Sequence, residues 1–330
     1  MRFTHLIRAA WRRTVPIRVR RRLLNLWKSP ATEVSRYLRA LRWKAMSQQK
    51  RVRWSRDYNE RTTEFWLFIL GLHGSGTTLL KSILEQHPNI RSMPREGQYY
   101  TNAIPQVVMY GFVRKFTARL DLFRLTEADS AMAALRAQFD WSFVYPREKG
   151  IKLEKSSTNL IRARWLQAHF KPSRFITIFR DPYSVCASTR RRYPKFAIEN
   201  IAQQWKIAHD LLLEDLQYLG SNLIVYYEDL CSRLEEQLQK LSEFLEFNPR
   251  LTRAMLPSRI PTAKNVYYLY LPVQNLNAEN RNCLTAEEMH TIKCIAGETI
   301  SRVGYPPEAA DGADPVNRLG ACPSNERETP

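Results

Sequence analysis

Residues 71–78 read Gly71-Leu72-His73-Gly74-Ser75-Gly76-Thr77-Thr78. A glycine, four residues, a second glycine and then two positions opening an apolar helix have the spacing of a phosphate-binding loop. Glycines let the chain turn so that several amide N–H groups converge on one anion. The helix start adds about half a positive charge at the same place. Thr77 and Thr78 supply hydroxyl donors beside Ser75. The position where a nucleotide hydrolase needs its phosphate-gripping lysine is Thr77, which argues against ordinary ATP or GTP chemistry. A glycine-rich turn with no ligand is the plainer alternative.

A second cluster is Arg180-Asp181-Pro182, with Ser188 eight residues after the arginine and Arg190-Arg191-Arg192 beyond it. Arginine offers a bidentate fork and serine a neutral hydroxyl, a pair able to hold a second phosphate. The competing reading is a helix-capping Asp-Pro followed by a solvated arginine run. Three consecutive arginines cannot all face one ligand. Two anion sites at neighbouring strand ends imply a nucleotide phosphorylated at both ends of its ribose.

Both clusters need strands that end where they begin. Phe65–Leu70 is continuously apolar and stops at Gly71, as a buried parallel strand does. Phe175–Phe179 and Leu223–Tyr227 have the same character and end at Arg180 and Glu228. Helical periodicity fills the intervals over Thr78–Gln86, Ala197–Tyr218 and Arg233–Leu245. Strands spaced by helices predict an α/β fold: a P-loop-like central parallel sheet with helices on both faces. Ligands of such sheets lie at the carboxyl ends of the strands.

Taken together, these motifs resemble those of the sulfotransferases that use 3′-phosphoadenosine-5′-phosphosulfate (PAPS). Ser75-Gly76-Thr77-Thr78 is similar to that family's 5′-phosphosulfate loop, and Arg180-Asp181-Pro182 with Ser188 to its 3′-phosphate motif. Leu153-Glu154-Lys155-Ser156-Ser157-Thr158-Asn159 resembles a segment of its carbohydrate and protein branch. Tyr227-Glu228-Asp229-Leu230 resembles a segment whose tyrosine lies beside the adenine. His87-Pro88-Asn89-Ile90, followed by Glu96, is similar to a further family segment. The resemblance runs from about Phe65 to Tyr305. It implies that PAPS is the sulfuryl donor, held by Gly74, Ser75, Gly76, Thr77, Thr78, Arg180, Ser188 and Tyr227, with in-line transfer to a hydroxyl or amine and no metal. Glu96 is the implied base. The family's usual arginine or lysine before Ser75 is Gly74 here, so Lys155, or else His73, must supply its charge. A phosphate-loop kinase or hydrolase, or a nucleotide binder without turnover, are the alternatives.

The chain has 330 residues, a net charge of +19, 44% hydrophobic and 11% aromatic residues. Residues 1–62 contribute 18 Lys+Arg against three acids (Glu33, Asp57, Glu60), so the remainder is only mildly basic. That asymmetry argues against a nucleic-acid-binding protein. Residues 1–62 are predicted to form a basic, helical extension, read as an arm packing one face on its own domain, a surface for an anionic membrane or a partner, a nucleic-acid arm, or an organelle transit segment. Arg12–Trp27 and Tyr37–Arg56 are its amphipathic stretches. A catalytic domain over 63–306 and a disordered tail over 307–330 complete the organisation. No run of about 18 apolar residues predicts a spanning helix. Five widely spaced cysteines form no CxxC pair, predicting no disulfide framework, no zinc site and a reduced, cytoplasmic setting. For the acceptor, aromatic residues over 98–150 and 265–281 are expected to form a pocket or lid, with a sugar hydroxyl or small molecule as its occupant.

Overall fold

The computed structural model describes residues 30–264 and 267–306. The amphipathic stretch at Arg12–Trp27 and the predicted tail lie outside the described residues. In chain order the principal elements begin with α1 (Pro30–Lys44), α2 (Gln48–Thr62), β1 (Thr63–Leu70), α3 (Thr77–Leu84) and β2 (Ile90–Ser92). There follow α4 (Ala131–Trp141), β3 (Gly150–Glu154), α5 (Ala163–His169), β4 (Ser173–Phe179), α6 (Pro182–Arg192) and α7 (Ile198–Leu216). The remainder is β5 (Asn222–Tyr226), α8 (Tyr227–Ser232), α9 (Leu234–Leu245), β6 (Ile260–Lys264), β7 (Tyr267–Leu271), α10 (Asn277–Arg281) and α11 (Ala286–Arg302).

Five strands take the order β2-β3-β1-β4-β5, and β2, β3 and β1 are paired parallel. The three predicted strands are therefore present as β1, β4 and β5. β2 and β3 were not foreseen as strands: β2 has three residues, and β3 interrupts its apolar run with Lys152. The antiparallel pair β6–β7 was also unforeseen.

The chain divides into two compact units. The first comprises 30–69, 88–175 and 219–221 among the described residues, and its core is aromatic. Phe170 meets the rings of Trp66, Phe68 and Trp141 at 5.1, 5.4 and 5.4 Å, and Tyr145 meets Trp66 at 5.9 Å. Phe116, Phe123, Phe139, Trp141 and Tyr145 are all buried. For these five this corrects their expected role in an acceptor pocket: they are core rings, with Trp141 and Tyr145 packed on Trp66 of β1.

The basic stretch packs on this same unit. Trp43 of α1 lies 5.2 Å from the Phe139 ring, and Trp54 of α2 lies 5.0 Å from it. Asp140 is fully buried and receives Arg136 at 2.8 Å and Arg39 at 3.6 Å. α2 then runs straight into β1 with no linker, Thr62 to Thr63.

The second unit holds 70–87, 176–218 and 222–306, save 265–266. Its apolar residues Ala208 and Leu212 of α7 and Ile292, Ala296 and Ile300 of α11 are buried. Asp210 of α7 accepts from Thr299 at 2.7 Å and Arg302 at 3.1 Å of α11. Among the described residues no helix is long and apolar enough to cross a membrane.

Lys152 is the anomaly of the first unit. Its side chain is buried on β3, and Nζ donates to Pro146 O at 3.0 Å near the Tyr58 and Tyr145 rings. Burial pushes its ammonium down to about 8. Unfolded, the residue keeps its proton to about pH 10.4, so between pH 8 and there the folded state binds fewer protons. Its contribution to stability rises with pH across that window, and below pH 8 the burial cost is complete. Lys152→Met is expected to be the more stable form at pH 7, on the order of 1–2 kcal/mol after allowance for solvent near Nζ. That advantage shrinks as pH rises from 8 to 10, read by urea unfolding at stepped pH.

Candidate active site

The loop after β1 is built on two left-handed glycines, Gly74 at φ 92° and Gly76 at φ 94°. Side chains rarely adopt that conformation. A Cβ on Gly76 would also stand 2.6 Å from Tyr227 Cδ2, and one on Gly74 would stand 3.3 Å from Ser188 Oγ. Gly76 caps α3, whose first turn carries Thr77 and Thr78. Ser75 is fully buried, and its hydroxyl has no hydrogen-bond partner among the described residues. His73 is half-buried in the same loop.

Arg180 leaves the end of β4 and turns under this loop, with only 7% of its surface exposed. Nη1 donates to Gly74 O at 2.9 Å and Nε to Asn277 Oδ1 at 2.8 Å. The guanidinium lies 4.0 Å from the centre of the Tyr227 ring, while Nη2 is buried without a hydrogen-bond partner. Asn277 is itself fixed, donating to Glu228 Oε1 at 2.6 Å. The same oxygen accepts the Asp181 N–H at 2.9 Å, and Tyr305 donates to Glu228 Oε2 at 2.7 Å. Glu228 therefore neutralises the buried arginine through one intervening amide.

Tyr227 is a spacer as much as a wall. Its hydroxyl donates to Gln274 O at 2.9 Å and accepts from Leu276 N at 3.3 Å. Burial drives its phenol far above the ordinary value, and the Cys231 thiol is pushed up to about 12 for the same reason. Both stay protonated at neutral pH. Asp181 caps α6, accepting from Ser184 N at 3.2 Å and Ser184 Oγ at 2.6 Å. Arg281 grips it with two bonds of 2.6 and 2.9 Å. Of the two readings of Arg-Asp-Pro, the capping one holds for Asp181 and the ligand-facing one remains for Arg180.

These residues border a cleft of about 640 Å³, counting its open mouth. Gly74, Gly76, Thr77, Thr78, Arg180, Ser188 and Tyr227 line it, so these members of the expected set come together. Arg191, Leu276, Glu279 and Asn280 line it as well, outside that set. The arginine run divides by helical phase: Arg191 reaches the cleft, Arg190 is paired with Glu288 at 3.0 Å, and Arg192 is exposed. Leu276, Glu279 and Asn280 belong to 265–281, the segment expected from sequence to form a pocket or lid. Its described end, α10, braces Arg180 and Asp181, and Tyr270 is 61% exposed. Asn277 and Arg281 carried no motif, because each partner lies about a hundred residues away.

Glu96 and Lys155 belong to the first unit. Lys155 Nζ donates to Glu96 Oε1 at 3.1 Å, and Gln98 donates to Glu96 Oε2 at 2.5 Å. The neighbouring Arg95 lies 4.3 Å over the Tyr99 ring. Beneath them Glu154 is buried and accepts from Gly97 N at 2.7 Å, from Ser156 Oγ at 2.6 Å and from Asn159 Nδ2. Burial raises its carboxyl, and those three donors pull it back toward the charged form. Glu154 thereby ties the Glu96 loop to the Lys155 loop.

Residues 67–249 match the sulfotransferase family, and the chain belongs to it. It is 26% identical to the protein-tyrosine sulfotransferase of Drosophila melanogaster over 219 residues, covering 61% of this chain and 43% of that protein. It is 25% identical to protein-tyrosine sulfotransferase A of Caenorhabditis elegans over 206 residues, covering 58% and 52%. The matched part spans about half the length of these relatives. Among solved structures, the sulfotransferase domain of the Synechococcus PCC 7002 olefin synthase matches with 18% identity and a TM-score of 0.46 over 72% of this chain and 96% of that one.

The loop geometry has a direct consequence. Gly76→Ala places a Cβ in a left-handed residue and against the Tyr227 ring, and is expected to cost about 1–3 kcal/mol in urea unfolding. Asn277→Ala strips Arg180 of its Nε acceptor, with an expected cost of about 1–3 kcal/mol by the same measurement.

Proposed function

We propose that this chain is a sulfotransferase that takes PAPS as donor and passes its sulfuryl group to an acceptor hydroxyl. The observation that carries the reading is Arg180. A buried guanidinium whose Nη2 is left unpaired, under a loop of left-handed glycines and beside a buried unpaired Ser75 hydroxyl, fits a ligand with more than one anionic group. Thr77 in place of lysine sets this loop apart from ATP- and GTP-hydrolysing loops.

In this reading Ser75, Gly76, Thr77 and Thr78 hold the 5′ end of the donor, and Arg180 and Ser188 its 3′-phosphate. Tyr227 walls the cleft beside them. When bound, PAPS supplies a sulfuryl group on a phosphate leaving group, and the acceptor oxygen bonds to sulfur as the bond to the phosphate oxygen breaks. Glu96 takes the acceptor's proton. Lys155, paired with it, orients that carboxylate and provides the cation that Gly74 cannot; His73 is the second choice. The assignments of Glu96, Lys155 and His73 rest on the family's motifs and, for the first two, on their ion pair. No protein metal ligand enters this scheme. A sugar hydroxyl or a small molecule is the acceptor drawn from the sequence. The names of the two relatives add the tyrosine hydroxyl of a protein, and both classes belong in the first screen.

Adenosine 3′,5′-bisphosphate without magnesium is expected to stabilise the full chain by about 2.7 kcal/mol at about 100 times its Kd, seen as a rise in Tm. Arg180→Ala should weaken that binding about tenfold or more. Stabilisation by Mg-ATP alone would overturn the donor assignment. Glu96→Gln should bind the bisphosphate as the parent does, yet lose about 10²–10⁴ in transfer of labelled sulfuryl from PAPS to a tyrosine peptide or glycan. Unchanged transfer would remove Glu96 as the base.

A further inference from the structure

α1 carries an apolar stripe that nothing in the described residues covers. Val34, Tyr37, Leu38 and Leu41 stand at i, i+3, i+4 and i+7, and are 52, 65, 58 and 45% exposed. The opposite face is the one docked on the first unit: the Arg39 side chain is 11% exposed against Asp140, and Trp43 is 8% exposed against Phe139. At about 100° per residue, Arg42 and Lys44 fall on opposite flanks of the stripe, and both are exposed. The helix is therefore amphipathic twice over, with one face against its own unit and the other turned outward between two cations.

The charge around that outward face selects its occupant. The 29 residues preceding Pro30 hold nine Lys+Arg and no acid, and end directly at the start of α1. A second copy of this surface would bring cation against cation. A shallow row of aliphatic side chains and one tyrosine, rimmed by cations, matches the boundary between anionic headgroups and acyl chains. We propose that the outward face of α1 docks on an anionic lipid bilayer surface. Leu38, Leu41 and Val34 enter the acyl boundary, Tyr37 sits at headgroup depth, and Arg42 and Lys44 meet lipid phosphates.

The test uses the full chain and two vesicle types: phosphatidylcholine alone, and phosphatidylcholine with phosphatidylglycerol as about a third of the lipid. Flotation should recover the protein with the anionic vesicles only, and added salt should weaken the binding. The double variant Leu38→Glu with Leu41→Glu changes exposed positions. It is expected to lose about tenfold or more in vesicle binding while keeping its Tm and its response to adenosine 3′,5′-bisphosphate. Equal binding to both vesicle types, no binding to either, or undiminished binding by the double variant would overturn the proposal. So would a dimer that sediments as such and falls apart in the double variant, since the stripe would then belong to a second copy. The vesicle readout needs no turnover, so it stands or fails separately from the sulfotransferase reading.

Discussion

A cation is buried at the end of β4, and much of the second unit is arranged to tolerate it. An unpaired guanidinium in the interior would cost several kcal/mol. Arg180 is held by a backbone carbonyl, a side-chain amide and an aromatic face, and its charge is balanced by Glu228 through Asn277. Each partner restricts another element. Gly74 must present its carbonyl, so the loop takes its left-handed turn there. Asn277 must arrive from α10, so α10 is clamped by Arg281 on Asp181. Tyr305, just beyond α11, closes the lattice on Glu228. What remains of the guanidinium's bonding capacity includes the whole of its buried Nη2.

The first unit is organised by a buried anion. Glu154 satisfies a backbone amide, a hydroxyl and a side-chain amide, and those bonds fix the two loops that bear Glu96 and Lys155. A buried carboxylate with three donors is rigid, and it gives the ion pair above it rigid support. The aromatic cluster of Trp66, Phe68, Trp141 and Phe170 supplies the packing that keeps β1 and β3 in place beneath them.

Gly74 is where the chain departs from its family's pattern, and the structure gives the reason a basic side chain is a poor fit. The residue is left-handed, and its Cβ direction leads to Ser188. A lysine or arginine there would strain the turn that the left-handed glycine makes.

The three central strands and the helices between them were legible because continuous apolar runs and a 3.6-residue period are local properties. So were the glycine loop, Arg180 and Tyr227, which sit at a strand's end, and Ser188, which is set by its spacing from Arg180. β2 and β3 escaped because a three-residue strand and a strand bearing a buried lysine carry little periodic signal. Phe116, Phe123, Phe139, Trp141 and Tyr145 were misread because ring chemistry is the same in a pocket and in a core. Only packing against Trp66 and Phe170 decides between them. Arg191 was separated from Arg190 and Arg192 by helical phase and by the position of Glu288, both tertiary facts. Sequence alone determined which chemistry the chain carries, because residue type and short spacing fix which groups can hold phosphate. Tertiary structure decided how that chemistry is braced: Asn277, Arg281, Glu154 and Glu228 act across chain separations that no local pattern encodes, and each holds a buried charge that must be paired wherever the fold places it.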